Sequence, residues 1–193
     1  SNLGIVRLGH TYTIGSLPAV SYVQVGGGTL SPDGSLSAYP ASQGMTDTTI
    51  ATAIWPYANH TTRTYFGVAA YQSLPTGEYS STKAFNLGNN RYSQALQLGY
   101  QRPITKSVDG AFAFDTVWYG ANSQCAAACS SATNLQFTQK PLYSSQIGPI
   151  YRINQTFTVA ATYVYVTGGE TAFNGIERNN TVVTQRYFVS GVA

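Results

Sequence analysis

Alternation of large apolar residues with small or polar ones runs through nearly the whole chain and constrains its fold more than any other feature. In VDGAFAFDTVWYG, residues 108–120, the large side chains of Phe112, Phe114 and Trp118 alternate with alanine, aspartate and other small or polar residues. Successive side chains of a β-strand point to opposite faces, so a period of two residues predicts strands with two unlike faces. The period of 3.6 residues that predicts an amphipathic helix is nearly absent. The sequence therefore predicts an all-β fold.

We predict about nine strands, most of them longer than the roughly five to six residues usual in soluble proteins. Their expected positions are residues 3–14, 18–29, 46–57, 61–74, 90–103, 107–119, 135–152, 155–167 and 181–193. A tilted strand needs ~9–11 residues to cross a membrane, and many of these segments are at least that long. One face of each segment is polar and small, which indicates a water-filled lumen rather than the core of a β-sandwich.

The connections between these strands alternate in length. The short ones lie at residues 15–18, 58–61, 104–107 and 153–156, and the long ones at about residues 30–45, 75–89, 120–134 and 168–180. Transmembrane barrels have this pattern, with tight turns on one side of the membrane and longer loops on the other. The predicted fold is a single domain over residues 1–193, an antiparallel up-and-down transmembrane β-barrel. Single-chain bacterial barrels have even strand numbers, so nine strands predict part of a larger, even-stranded barrel.

The composition suits contact with lipid and limits the possible partners. Only 9% of the residues are charged, against about 25% in soluble domains, and aromatic residues reach 13%. The mean hydropathy is nevertheless -0.10. The net charge of +3 is small and forms no basic cluster, so a nucleic-acid partner is not expected. The expected partners are membrane lipid or lipopolysaccharide, small solutes, and further copies or subunits of a larger assembly.

Aromatic residues gather near the ends of the predicted strands. Those near the short turns are Trp55, Tyr57, Tyr65, Tyr100 and Tyr151, and those near the long loops are Tyr71, Tyr92, Trp118 and Tyr165. Two belts of aromatic residues at the membrane interfaces would give this distribution. Aromatic residues at the edges of a sandwich would give it as well.

Charged residues on the polar phase of the strands are the candidates with a function. They are Arg7, Arg63, Arg91, Lys140 and Arg186, together with Asp47, Asp109 and Asp115. A charge facing lipid is costly, so these side chains are expected to line a pore or lie at an interface. They could form a mixed-charge constriction that selects solutes, or Arg–Asp pairs that only fill and stiffen a narrow barrel. Tyr65, Tyr71 and Tyr119 could likewise stack against aromatic solutes or merely fill space.

Residues suited to catalysis or metal binding are few. Cys125 and Cys129, in CAAAC within a predicted long loop, are expected to form a disulfide. Free thiols and half of a metal site are the alternatives, but two ligands do not complete a zinc site. His10 lies on a predicted strand without an acidic neighbour and His60 in a predicted turn, so neither is expected to be catalytic. We expect no enzymatic activity, no cofactor and no metal.

The block LPTGEY…FNLGNNRYS, within residues 74–93, resembles a block of the outer-membrane family of meta-pathway phenol-degradation transporters. The resemblance continues through LQLGYQRPI, IGPIYRI and TQRYFVSG, and it covers about two thirds of the chain from Leu17 onward. It implies a Gram-negative outer-membrane β-barrel linked to the uptake of aromatic compounds, without catalytic residues or a cofactor. The odd strand number and the end at YFVSGVA, without a terminal aromatic residue, depart from the family's pattern.

Three hypotheses of function follow. The first is an outer-membrane channel for passive uptake of small solutes, with aromatic compounds as a candidate class. The second is a structural barrel component of a larger assembly. The third is a secreted β-sandwich that binds carbohydrate through aromatic loops.

Overall fold

A computed structural model describes residues 1–154 and 156–192 of the chain, apart from the side chain of Val192. The strands are β1 (Asn2–Ile14), β2 (Leu17–Leu30), β3 (Ser42–Met45), β4 (Thr48–Asn59), β5 (Thr64–Leu74), β6 (Ser93–Pro103), β7 (Val108–Tyr119), β8 (Asn122–Cys125), β9 (Leu135–Gln139), β10 (Leu142–Arg152), β11 (Thr158–Gly168), β12 (Thr171–Phe173), β13 (Ile176–Glu177) and β14 (Val182–Val192). Two short 3-10 helices, Gly34–Leu36 and Ala127–Cys129, lie in loops. None of the described helices is long and apolar enough to cross a membrane.

Nine long strands form one antiparallel sheet in which successive long strands lie side by side. Their order is β1-β2-β4-β5-β6-β7-β10-β11-β14, and the short strand β3 pairs with the end of β2. Each long strand therefore pairs with the next through a hairpin, which is the meander that alternating short and long connections predict. Strands β1 and β14 are the two edges of the described sheet.

The long connections fold together at one end of this sheet. Residues 120–141 and 169–181 supply a second sheet of short strands, in the order β13-β12-β9-β8. Residues 75–92 contact this second sheet, where Tyr79 Oη donates a hydrogen bond to the carbonyl of Gln124 at 3.1 Å. We call these three segments the loop cluster and this end of the sheet the long-loop end. The opposite end is the short-turn end.

The register assigns each side chain of the nine-strand sheet to one of two faces. Directly paired residues share a face, so Leu98 lies with Phe114 and Gln97 lies with Asp115 on the opposite side. Followed from strand to strand, the apolar face carries Leu8, Val23, Ile50, Val68, Leu98, Phe112, Ile147, Tyr163 and Val189. The polar face carries Arg7, Gln24, Tyr71, Gln97, Asp115, Gln146, Thr162 and Arg186.

Large apolar side chains of the sheet are not buried in a core. Among the described side chains of the nine long strands, the buried apolar ones are small: Ala19, Ala51, Ala69 and Val164. By contrast, Leu8 is 76% exposed and Val189 is 80% exposed. A β-sandwich buries the large residues of two facing layers against each other. The described chain therefore does not have the sandwich architecture of the third hypothesis.

Most of the predicted elements are present. Each of the nine predicted segments overlaps one long strand, and the alternation of short and long connections is confirmed. The prediction of a single strand over residues 135–152 is wrong, because β9 and β10 are separate strands that belong to different sheets. Pro141 separates them, because proline has no N–H to donate to a ladder. The alternation does not predict the short strands β3, β8, β12 and β13, which contain too few residues for a period. Gln155 and Ala193, at the ends of two predicted segments, lie outside the described residues.

Candidate functional site

Asp109, near the start of β7, organises a cluster of charges at the short-turn end of the polar face. Its side chain is 0% exposed, and its carboxylate accepts hydrogen bonds from Arg152 Nη1 at 2.9 Å and Gln101 Nε2 at 2.7 Å. Arg63 Nη2 lies 3.2 Å from the same carboxylate. A buried carboxylate is costly unless it is paired and hydrogen-bonded, and these three donors meet that requirement. The cluster therefore fixes β6, β7, β10 and the β4–β5 turn to one another.

Asp115, in the middle of β7, has uncharged partners instead. Gln146 Nε2 donates to one carboxylate oxygen at 2.9 Å and Gln97 Nε2 donates to the other. Gln97 in turn accepts a hydrogen bond from Tyr71 Oη at 3.1 Å. Among the described residues no cation lies within ion-pair distance of Asp115. The middle of the polar face thus holds a negative charge that is hydrogen-bonded but not neutralised.

Positive charges lie on the polar face of both edge strands. Arg7 on β1 donates to Gln24 Oε1 at 2.6 and 3.0 Å, and its guanidinium carbon lies 4.3 Å from the ring centre of Tyr22. Arg186 on β14 is paired with Val164 and shares its face. Apart from the Asp109 cluster, the charges from β1 through β7 to β14 are therefore positive, negative and positive.

Arg91 belongs to the loop cluster and lies two residues before β6 begins. Its Nη2 donates to Gln139 Oε1 at 2.6 Å, and its guanidinium carbon lies 4.5 Å from the ring centre of Tyr119 and 4.8 Å from that of Phe137. Burial lowers the pKa of Arg91. An arginine nevertheless keeps its charge in proteins, so a cation lies between two aromatic rings at the long-loop end.

Four of the eight charged candidates do not lie on strands. Arg63 lies in the β4–β5 turn with φ 51°, Arg91 precedes β6, Lys140 separates β9 from β10, and Asp47 separates β3 from β4. Their predicted place on the polar phase of a strand is therefore wrong. Contacts within turns and loops, rather than strand alternation, orient these side chains.

Asp47 and Lys140 connect loops to one another. Asp47 accepts hydrogen bonds from the backbone N–H of Gly77 at 3.0 Å and of Asn89 at 2.9 Å, which fixes residues 75–92. Lys140 Nζ lies 2.7 Å from Glu170 Oε2 and 2.6 Å from Glu177 Oε1. These hydrogen bonds raise the pKa of Lys140 to about 12. Lys140 thus joins two segments of the loop cluster, and Asp47 ties the third segment to the link between β3 and β4.

Trp55 and Tyr65 line a cavity of about 260 Å³ in the polar face near the short-turn end. The floor contains two glycines. A Cβ added to Gly67 would lie 3.1 Å from Trp55 Nε1, so the indole lies over this glycine. A Cβ added to Gly99 would meet nothing within 4 Å, so this glycine leaves space open. The cavity combines aromatic walls with glutamine amides, since Gln97 also lines it.

The position of Trp55 corrects the aromatic-belt prediction. The pairing of β4 with β5 shifts register between Ile54 and Tyr57, so Trp55 lies on the polar face and Tyr57 on the apolar face. Regular alternation would have placed both on one face. In the sequence, Pro56 is the residue that indicates this register shift, because a proline inside a strand often marks a bulge.

Arg152 was also not among the predicted site residues. Its side chain lies on the polar face of β10. Ile150 is paired with Asp109 on that face, and Arg152 lies two residues further along the same strand. Thr158 of β11, which is paired with Arg152, lies on this face as well. Extending the alternation of β10 to its last residue would have identified it.

The loop cluster contains the two cysteines, and Cys125 and Cys129 form a disulfide. Within residues 1–154 and 156–192 no three His, Cys, Asp or Glu side chains are grouped so that they could hold a metal ion.

A family model described as "Putative MetA-pathway of phenol degradation" matches residues 4–187. The fold is similar to that in the crystal structure of the COG4313 outer membrane channel from Pseudomonas putida F1, with a TM-score of 0.88 and 24% sequence identity. The similarity covers 98% of this chain and 69% of that channel's chain. At this identity the similarity establishes a shared fold. No curated protein matches the chain.

Proposed function

Because this chain belongs to the family described as putative MetA-pathway of phenol degradation, we propose that it acts as an outer-membrane β-barrel channel through which small solutes pass passively. The observation that carries the proposal is the division of nine long antiparallel strands into an apolar and a polar face. Lipid would contact the first face and water the second. The similarity to a solved outer membrane channel supports the same function.

The proposed channel selects solutes by the charges on its polar face. Arg7, Asp115 and Arg186 lie along this face and would contact the water column. Asp109 is already neutralised by two arginines, so its contribution is mainly structural. Arg63, Arg91, Lys140 and Asp47 act from turns and loops at the two mouths. Tyr71 and Tyr119 add polar aromatic groups to the same face.

Closure of the proposed barrel requires partners for the outer edges of β1 and β14. These strands contain 13 and 11 residues. In hydrocarbon an unpaired backbone N–H or C=O costs several kcal/mol, so an open edge is not tolerated. Further strands would pair with both edges and give the even strand number of single-chain barrels. The same two edges are the observation that favours the second candidate, a structural component whose edges pair with another subunit.

The cavity at Trp55 and Tyr65 supports aromatic compounds as solutes. Its volume of about 260 Å³ exceeds the roughly 150 Å³ of a cavity that binds benzene. A planar ring could stack on the indole of Trp55, while the amide oxygen of Gln101 could accept a hydrogen bond from a hydroxyl substituent. The cavity opens on the polar face, so a solute would meet it during passage.

Single-channel recording in a planar bilayer tests the channel directly. We expect discrete conductance steps from the purified protein, and heat-modifiable migration of the folded barrel in gels. A protein that inserts but gives no conductance would favour the structural component. A monodisperse protein in plain buffer without detergent would contradict a membrane barrel altogether.

Block of the ionic current by phenol tests the aromatic site. Trp55→Ala should weaken the block by about two- to tenfold, because one aromatic contact is worth ~0.5–1.5 kcal/mol. Tyr57→Ala is the matched control, since Tyr57 is on the other face of the same strand. Equal block in Trp55→Ala and the unmodified protein would exclude this cavity as the solute site.

A further inference from the structure

Arg102 is the one charged residue on the apolar face of the nine long strands in the described chain. These strands contain five other Lys, Arg, Asp or Glu residues, all on the polar face: Arg7, Asp109, Asp115, Arg152 and Arg186. Arg102 is paired directly with Gly110 and shares its face. Its side chain is exposed and makes no ion pair with a described residue. A lone cation on an apolar face needs a partner, or it must reach water.

A groove of about 440 Å³ begins beside Arg102, near the short-turn end. Its lining is otherwise apolar: Tyr100, Ile104, Gly110, Ala111, Phe112, Ile147, Gly148 and Pro149. Tyr100, Phe112 and Ile147 lie opposite one another on β6, β7 and β10, and form one row of large side chains. They are 41%, 45% and 57% exposed, so the row is available to a ligand.

A gap in the next row gives the groove its depth. Arg102, Gly110 and Pro149 lie opposite one another on the same three strands. Gly110 contributes no side chain, so the row is open between the guanidinium and the proline ring. Ile104, in the following turn, leans over this gap, since a Cβ added to Gly110 would lie 3.0 Å from Ile104 Cδ1. The groove thus has an apolar floor and walls with a cation beside it.

We infer that this groove binds one glycerophospholipid, with an acyl chain along the apolar lining and the phosphate at Arg102. The inference depends on the proposed function, because it needs the apolar face to lie in lipid. An apolar lining disfavours a polar solute, whereas an acyl chain loses no hydrogen bond there. Arginine binds phosphate through two parallel N–H donors, and Arg102 has them free of ion pairing. Its place near the end of β6 puts the guanidinium where the hydrocarbon ends.

Native mass spectrometry of the detergent-purified protein, titrated with phosphatidylglycerol, tests the site. We expect the unmodified protein to retain one lipid, and Arg102→Gln to weaken retention about tenfold through loss of the charge-assisted phosphate contact. Gly110→Val should also weaken retention, because the added side chain fills the floor of the groove. Heat-modifiable migration establishes that each variant is folded.

Lys106→Gln is the matched control. Lys106 lies in the turn at the same end of the sheet but does not line the groove. An equal loss of lipid in Lys106→Gln and Arg102→Gln would overturn the site, since it would reflect general surface charge. Retention unchanged in Arg102→Gln and Gly110→Val would overturn it as well. A protein that conducts in bilayers but retains no lipid refutes this inference alone, whereas one that does not enter bilayers refutes the proposed function too.

Discussion

At the scale of single residues, the surroundings of a carboxylate decide its role. Asp109 and Asp115 lie on one face of the same strand, six residues apart. Asp109 is buried between two arginines, so its charge is compensated within the protein. Asp115 is bound by two uncharged glutamine amides, and no described cation pairs with its charge. One aspartate is therefore expected to matter for stability and the other for ion selection.

Asp109→Asn should destabilise the folded protein by about 2 kcal/mol. Removing one partner of a fully buried ion pair costs roughly 3–5 kcal/mol, and the cost is lower here because the side chains of Arg63 and Arg152 are 29% and 30% exposed. Urea unfolding in lipid vesicles measures the change. Glu177→Gln, which removes one exposed partner of Lys140, should leave the free energy of unfolding nearly unchanged. Equal effects of the two variants would contradict a structural role specific to Asp109.

Asp115→Asn should shift ion selection toward anions. Two unit charges about 4 Å apart in water interact by about 1 kcal/mol, which corresponds to about fivefold in local ion occupancy. The reversal potential under a KCl gradient measures the shift, and high salt should reduce it through screening. Asp33→Asn, in the exposed loop after β2, is the control with the same chemistry. A reversal potential unchanged in Asp115→Asn would remove this residue from the pore lining.

At the scale of an element, residues 75–92 form a folded part of the loop cluster. Gly77 and Gly88 lie against each other: a Cβ on Gly77 would lie 2.7 Å from Gly88 Cα, and one on Gly88 would lie 2.7 Å from the Gly77 carbonyl carbon. Their role is close backbone approach, since neither has positive φ. The backbone N–H of Gly88 donates to the carbonyl of Glu78 at 2.9 Å, and Asp47 binds both sides of the loop. The conspicuous block LPTGEY…LGNN is thus a packing motif.

Gly77→Ala should loosen residues 75–92 without unfolding the sheet. The added methyl group meets backbone atoms of Asp47 and Gly88, which cannot move aside without displacing the loop. Hydrogen exchange at these residues should become faster, while exchange in β6 and β7 stays slow. Gly99→Ala is the control, because its added methyl group meets open space. Unchanged exchange in Gly77→Ala would show that the two glycines are not in contact.

At the scale of the whole molecule, the nine-strand sheet has two faces of opposite chemical character. The large apolar side chains are exposed on one face, while the other carries paired charges and amides. Within the described part of the chain no second layer covers that apolar face, and in the proposed membrane barrel lipid would cover it. The proposed barrel is the arrangement that exposes one face to lipid and encloses the other.

Leu98→Arg and Gln97→Arg test this division with adjacent residues of β6. Leu98 lies on the apolar face near the middle of the strand, so an arginine there should cost ~2–4 kcal/mol in a bilayer. Gln97 lies beside Asp115 on the polar face, where an arginine gains an ion-pair partner. Vesicle unfolding titrations measure both variants. A similar cost for the two would contradict the assignment of the faces.

The sequence by itself determined the all-β fold, the order of the long strands and the alternation of short and long connections. Each of these follows from a period of two residues or from turn residues, which are local properties. It also determined that Arg7, Asp109, Asp115 and Arg186 share a face, since alternation fixes phase within a regular strand. Tertiary structure alone decided that Asp109 is neutralised and Asp115 is not, because their partners come from other strands. It also decided the faces of Trp55 and Tyr57, where a register shift breaks the alternation. The roles of Asp47, Lys140 and the Gly77–Gly88 contact depend on how the loops pack, which no local period encodes.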